Sequence, residues 1–441
     1  MSLLADHEVV RDDQRIDVGA MVAGLDPEAL VRDHGSPLFV YDLDIVAARV
    51  AMLRAAMPDA VEVAYAVKAN PSPAILRLLA GLGLGADIAS GGELAAVTRT
   101  GFDPGRVVMT GPGKTDAEIA AAIHAGVRAI TIESLEEVDV LLDMASLAGR
   151  HQGLMIRLAA DEAGRSTEGT PIISAAGAAK FGLLPDEVDE AIDRLRLGGA
   201  IGAAGSPYEL LGLHAFGASN VRDAHRLVEH VRWLGDRART CATHHGLRFR
   251  LLDAGGGLGI PYADDQAPLD LGHLGRGIAA ELATWAGHPG LEGARLVLEP
   301  GRFLVGPAGA YLMRIVRTKR RAGRTMAVAD GGIHHVLRPA LVGDPHRIVG
   351  VGAAAERDRT TPSSVVGPLC TGIDQLSGAL ELPDPRTGDL LAVLDVGAYG
   401  FTESMPLFLS HPVPAEVVVS RGVARVARLR QEPGGGSAVV W

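Results

Sequence analysis

The chain has 441 residues, enough for two domains or for one large barrel with an accessory domain. Its formal charge of -11 argues against nucleic-acid binding by long-range attraction. Two cysteines, Cys241 and Cys370, are too few for a disulfide scaffold in a chain of this size, so a reducing, cytoplasmic setting is expected. The opening stretch MSLLADHEVVRDDQ has no basic region followed by a long apolar one, and no apolar run could span a bilayer. Neither a signal peptide nor a membrane span is therefore expected. With only 4% aromatic residues, the core must be built mainly from Ala, Leu and Val.

From about residue 36, short apolar strands alternate with amphipathic helical patterns. The pattern predicts strands at 38–41, 61–67, 86–88, 106–109, 129–132, 154–158, 210–215, 250–254 and 295–298. Helical spacing falls between them, as at 74–81, 92–100, 116–125, 135–147 and 221–244. Repeated units of this kind favour a parallel sheet covered by helices, and the count suits a closed (β/α)8 barrel over an open doubly wound sheet. After about residue 310 the helical patterns nearly vanish. Strand-like stretches at 310–316, 325–328, 390–396, 416–420 and 423–429 predict a β domain. The final EPGGGSAVVW reads as a flexible tail.

Several segments carry chemistry. Tyr-Ala-Val-Lys-Ala-Asn, residues 65–70, delivers Lys68 at the end of an apolar strand. Desolvation there lowers an amine's pKa and makes it a nucleophile, as a Schiff-base lysine requires. Asp-Ala-Gly-Gly-Gly-Leu-Gly, residues 253–259, offers bare backbone amides to an anion, but it lacks the dinucleotide-binding pattern. Leu-Glu-Pro-Gly-Arg, residues 298–302, puts a carboxylate and a guanidinium at a further strand end. The histidine pairs His244–His245 and His334–His335 do not make a ligand set alone, because adjacent residues on a strand point apart, and no metal is expected.

Taken in order, YAVKAN, GLHAFGASN, DAGGGLG, LEPGR, GPLCTGID and GAYG resemble the fold-type III pyridoxal-phosphate decarboxylases, the group of diaminopimelate and ornithine decarboxylases. The likeness runs from about Leu38 to Val418. It implies a (β/α)8 TIM barrel of the alanine-racemase type over residues 36–310. A C-terminal β-domain would take 311–441 together with 1–35. It also implies a homodimer with active sites at the subunit interface. By resemblance, Lys68 would bind pyridoxal 5'-phosphate covalently, with Asp87 beside it. Ser219, Gly255, Gly256, Gly257, Gly301 and Arg302 would bind the phosphate, and Tyr399 would add its hydroxyl. Glu299 would pair with the pyridine nitrogen and keep it protonated, so that the ring accepts the electron pair left by departing carbon dioxide. Cys370, from the partner's β-domain, would return a proton to the substrate carbon.

The chain departs from the family at several positions. Phe216 stands where a histidine usually stacks on the cofactor ring, and Ala218 replaces a glycine of the same motif. His214, two positions earlier, is assigned a structural role. Thr371 follows Cys370 where diaminopimelate and ornithine enzymes carry the acid that holds a distal ammonium. Arg338 of Arg-Pro-Ala-Leu-Val is retained, but Val342 takes the place of a tyrosine. Arg338, Thr371 and Asp374 are the candidate substrate-binding residues, with Asp374 a substitute for the missing acid. The pattern is similar to a natural-product branch that decarboxylates a glutamyl, aspartyl or methylaspartyl group on an acyl carrier protein. Carrier proteins are acidic, and the basic segment 317–324 is the candidate docking patch. The alternative is decarboxylation of a free amino acid such as diaminopimelate or ornithine. A racemase is disfavoured by Glu299, because racemases of this fold pair the ring nitrogen with arginine. A non-catalytic relative is disfavoured by the presence of both Lys68 and Cys370.

Overall fold

The computed structural model describes residues 24–145, 152–159 and 180–433. The opening stretch, the end of predicted helix 135–147 and nearly all of the C-terminal tail lie outside the described residues. No helix among the described residues is long and apolar enough to cross a membrane.

The first strand, β1 (Leu38–Asp42), is buried along its whole length. The next eight are β2 (Val61–Ala66), β3 (Gly85–Ile88), β4 (Val107–Met109), β5 (Ala129–Ile132), β6 (Gln152–Arg157), β7 (Tyr208–His214), β8 (Leu251–Asp253) and β9 (Arg295–Leu298). They close in chain order into a barrel, with β9 returning to β2 and each pair parallel. Short, nearly continuous apolar runs are what strands covered on both faces require. Ala64, Val108, Ala129, Met155, Leu251 and Val297 form an interior cluster without aromatic residues. Gly212 on β7 has a specific need for its missing side chain. A Cβ there would lie 1.6 Å from the Leu251 carbonyl oxygen of the next strand.

The helices between strands carry local stop and start signals. Helix Asp116–Ala125 begins with a reciprocal capping box between Thr115 and Glu118 and ends at Gly126 in the left-handed region. Ser90 and Ser134 cap the starts of helices Gly91–Thr100 and Leu135–Asp143 in the same side-chain-to-backbone manner.

The barrel belongs to a compact unit of Leu53–Gly259 and Leu269–Arg302. Among the described residues, the other unit takes 24–52, Ile260–Pro268 and 303–433. The observed division differs from the expected 36–310 range, chiefly because of β1. Its apolar run looks like a barrel strand, yet it pairs antiparallel with β10 (Gly309–Arg321) and parallel with a strand near the C-terminus.

The remaining strands of this unit are β11 (Arg324–Ala329), β12 (Ile348–Val351), β13 (Thr360–Val366), β14 (Gln375–Pro383), β15 (Leu390–Leu394), β16 (Ala415–Ser420) and β17 (Val423–Arg428). Their nine-stranded sheet runs β14-β13-β11-β10-β1-β16-β17, with β15 bridging β10 and β12. Leu38, Val40, Leu312, Ala392 and Val417 share its core. The basic segment 317–324 is the β10–β11 hairpin, exposed throughout. Ala322 and Gly323, both at positive φ, make its two-residue turn.

Three histidines gather in this unit. His334 and His335 are fully buried, with ring centroids 3.8 Å apart, and His411 lies 4.9 Å from His334. His335 Nδ1 meets the Tyr311 hydroxyl at 2.8 Å. His335 Nε2 and both nitrogens of His334 have no hydrogen-bond partner.

Candidate active site

The chemistry-bearing residues of the barrel stand at or just beyond the C-terminal ends of its strands, the face where barrel enzymes place their loops. Lys68 lies in the short turn Val67–Ala69 after β2, and Asp87 lies within β3. Lys68 Nζ is 2.8 Å from Asp87 Oδ2. The other Asp87 oxygen accepts from Thr110 Oγ1 at 2.5 Å. The lysine thus faces a buried, oriented carboxylate in the residue expected beside it.

Beyond β7 the chain carries Phe216 and Ser219, both half-buried. The Phe216 ring packs over the glycine run, since a Cβ on Gly255 would meet its Cδ2 at 3.0 Å. Gly255 and Gly257 adopt φ of +65° and +94°. A Cβ on Gly256 would lie 2.5 Å from the Glu299 carbonyl oxygen, and one on Gly257 would lie 2.4 Å from that of Ala218. The glycines are therefore required by close backbone packing as well as by any anion they receive. Arg302 Nη2 donates to Ser219 Oγ at 3.4 Å, which joins two of the expected phosphate-binding residues. Gly301 packs beside the lysine turn, where a Cβ would be 2.7 Å from that of Ala69.

Glu299 follows β9 and is buried, and its Oε1 has no hydrogen-bond partner. Burial alone would raise its pKa. The neighbouring His214 and Lys68 outweigh that and hold its carboxyl well below the ordinary range. His214 Nε2 stands 3.6 Å from Glu299 Oε2. The structure thus places His214 beside the key carboxylate, a neighbour the sequence did not suggest. Asp253 joins the same group. Its place at a strand end, ahead of the glycine run, was the available signal. Also unanticipated is a buried ion pair at the ends of β5 and β6, in which Arg157 Nη1 meets Glu133 Oε1 at 2.9 Å.

Among the described residues, a second trio of ligand-type side chains, Asp189, His244 and His245, lies on the outer helices. One expected histidine pair thus gains a carboxylate neighbour there.

In the β unit, Cys370 is exposed in the loop between β13 and β14, with Thr371, Gly372 and Ile373 beside it. Asp374 is buried at the base of that loop. It accepts the Ile333 and Leu369 amides at 2.9 and 2.7 Å, and a Cβ on Gly367 would lie 2.3 Å from its carboxylate. Each of its oxygens thus accepts a backbone amide at the position expected to substitute for a substrate-binding acid. Arg338 is buried and spans Asp344 and Glu403, at 2.7 Å each. Two carboxylates already engage the guanidinium expected to hold substrate. Tyr399 adopts a φ of 56°, with the Arg338 guanidinium carbon 5.5 Å from its ring centre.

Residues 43–306 match the pyridoxal binding domain of the pyridoxal-dependent decarboxylases. The chain belongs to this family. It is a pyridoxal-phosphate-dependent amino-acid decarboxylase, a carboxy-lyase. It is 31% identical to diaminopimelate decarboxylase of Aquifex aeolicus over 93% of each chain. It is 27% identical to the L-glutamyl-[BtrI acyl-carrier protein] decarboxylase of Niallia circulans, covering 91% of this chain and 92% of that one. The diaminopimelate decarboxylase of M. jannaschii, solved in complex with L-lysine, superposes with a TM-score of 0.82 at 28% identity over 92% of each chain. The barrel residues fit the cofactor of this family: a lysine with an oriented carboxylate, a bare glycine run, an arginine beside a serine, and a buried carboxylate oxygen without a partner.

Proposed function

We propose that this enzyme removes the α-carboxylate of a free amino acid of the diaminopimelate type. The observation that carries the proposal is the Lys68–Asp87 pair at 2.8 Å in the barrel that also holds the unpartnered Glu299 oxygen. Similarity to diaminopimelate decarboxylases over nine-tenths of the chain supports this substrate class above the carrier-bound one. When bound, pyridoxal phosphate would supply an aldehyde that condenses with amines and an electron sink for the pair released with carbon dioxide.

The chain's residues would do the rest. Lys68 holds the cofactor covalently, and Asp87, fixed by Thr110, orients the lysine amine. Gly255, Gly256, Gly257, Gly301, Ser219 and Arg302 receive the phosphate, with the Tyr399 hydroxyl. Phe216 lends an aromatic face. Glu299 holds a proton on the ring nitrogen. Cys370 returns a proton to the α-carbon. Its exposed loop suits delivery to a second copy's barrel, so the working unit would be a homodimer. With Cys370→Ala, cofactor absorbance should survive while turnover falls about 10²-fold or more, or diverts towards transamination. Unchanged turnover and product would remove the thiol from the mechanism.

One observation favours a second substrate class, an acidic amino acyl group on a carrier protein. The position after Cys370 is Thr371 and not an acid, and both Asp374 oxygens accept backbone amides. A distal ammonium would then lack its charge-assisted bond. The exposed basic hairpin 317–324 would face the carrier. Mass spectrometry of products from the loaded enzyme separates the two classes. Carbon dioxide loss from free diaminopimelate supports the first, and loss only from tethered glutamate or aspartate derivatives transfers the assignment to the second.

A further inference from the structure

Three titratable side chains converge inside the barrel mouth: His214 at the end of β7, Asp253 at the end of β8 and Glu299 after β9. Each offers an atom within 4.8 Å of the others'. Their exposures are 2%, 0% and 3%, so no solvent screens them. Asp253 Oδ1 accepts the Gly255 amide at 2.8 Å, while its Oδ2 has no hydrogen-bond partner. Glu299 Oε1 is also unpartnered.

Two carboxylates this close, both out of water, do not ionise together. One proton must be shared, and the surroundings decide where it rests. Glu299 has His214 at 3.6 Å and feels the Lys68 charge, so its anion is stabilised. Asp253 feels the charges of Glu299 and Asp87 instead, after a larger burial penalty, and its carboxyl is pushed well up.

We infer that Asp253 is a neutral carboxylic acid whose Oδ2 proton is directed at Glu299, making it a positioning residue for the ring-nitrogen carboxylate. One oxygen holds the glycine run and the other, protonated, steadies Glu299. The phosphate cradle and the ring-nitrogen partner are thereby tied through a single side chain. Because Asp253 is neutral, Glu299 keeps its full negative charge for the cofactor. The inference rests on the proposed pairing of Glu299 with the pyridine nitrogen.

The test uses enzyme loaded with pyridoxal phosphate labelled with ¹⁵N in the ring, read by the nitrogen chemical shift and by cofactor dissociation in equilibrium dialysis. Asp253→Leu should move the signal away from the protonated-nitrogen position and weaken cofactor binding about tenfold, the cost of an unmade buried hydrogen bond. Asp253→Asn should restore both, because its carbonyl accepts from Gly255 and its amide donates to Glu299 as the acid does. An Asn variant that shifts the nitrogen signal as far as the Leu variant would overturn the neutral-acid assignment. Glu299→Gln separates this from the underlying pairing. If that variant leaves the signal in place, Glu299 is not the nitrogen's partner. If it moves the signal while Asp253→Asn also does, the pairing stands and the inference about Asp253 falls.

Discussion

Lys68→Ala should abolish both the visible absorbance of the lysine-bound cofactor and decarboxylation. No other amine in the described site replaces it at Asp87, since the ion pair is formed by Lys68 Nζ alone. The substitution also leaves the Asp87 carboxylate buried without its cation, held only by Thr110. A buried carboxylate stripped of its partner is strongly disfavoured, so the variant should also be less stable and bind pyridoxal phosphate more weakly. Absorbance spectra with added cofactor and a carbon dioxide assay check the result. A variant that kept both signals would show that the cofactor is attached elsewhere, and the site would have to be rebuilt around another residue.

Stability should fall steeply between pH 6.5 and 4, and the histidine cluster of the β unit should account for a measurable share. Burial, followed by the neighbouring His411, lowers His334 from 6.5 to about 4. Burial and then His334 lower His335 further, to about 2. A histidine with a depressed folded pKa is neutral in the native state, and its stability is complete above 6.5. As pH falls through 6.5 the unfolded chain takes up protons that the folded chain refuses, and the loss continues to the folded value. For His334 alone the shift corresponds to about 3 kcal/mol. Thermal midpoints of the wild type and of His334→Leu, measured across this range, isolate the effect from titrating carboxylates. The variant's curve should be flatter. Parallel curves would mean that His334 is protonated in the native state without penalty.

Much of the barrel was legible because its signals are local. Helix Asp116–Ala125 was readable from the spacing of apolar residues within it, and its Thr115 and Gly126 caps lie next to its ends. β1 was misread because a strand buried on both faces has the same apolar run in either unit, and its partners, β10 and β16, lie far along the chain. The site divides in the same way. Lys68, Gly255 and Arg302 sit in short motifs whose chemistry shows in the motif itself. His214 looked like a single histidine on an apolar strand, and only barrel closure brings Asp253 and Glu299 to it. Asp374 was read from its spacing to Cys370, yet its carboxylate is spent on the amide of Ile333, which no local pattern reveals.

The clasp made by Asp374 separates two demands on one loop. Its base is fixed by backbone amides and by glycines that leave no room for a side chain, whereas the side chains of Thr371 and Ile373, with Gly372 between them, stand half-buried or exposed at the β13–β14 tip. Selection can therefore rewrite these three positions while the thiol keeps its anchorage and the fold its stability. On the proposed function, exchanging a few tip residues would alter substrate choice and leave the clasp intact. The same property makes positions 371–373 the natural library for redirecting the enzyme by design.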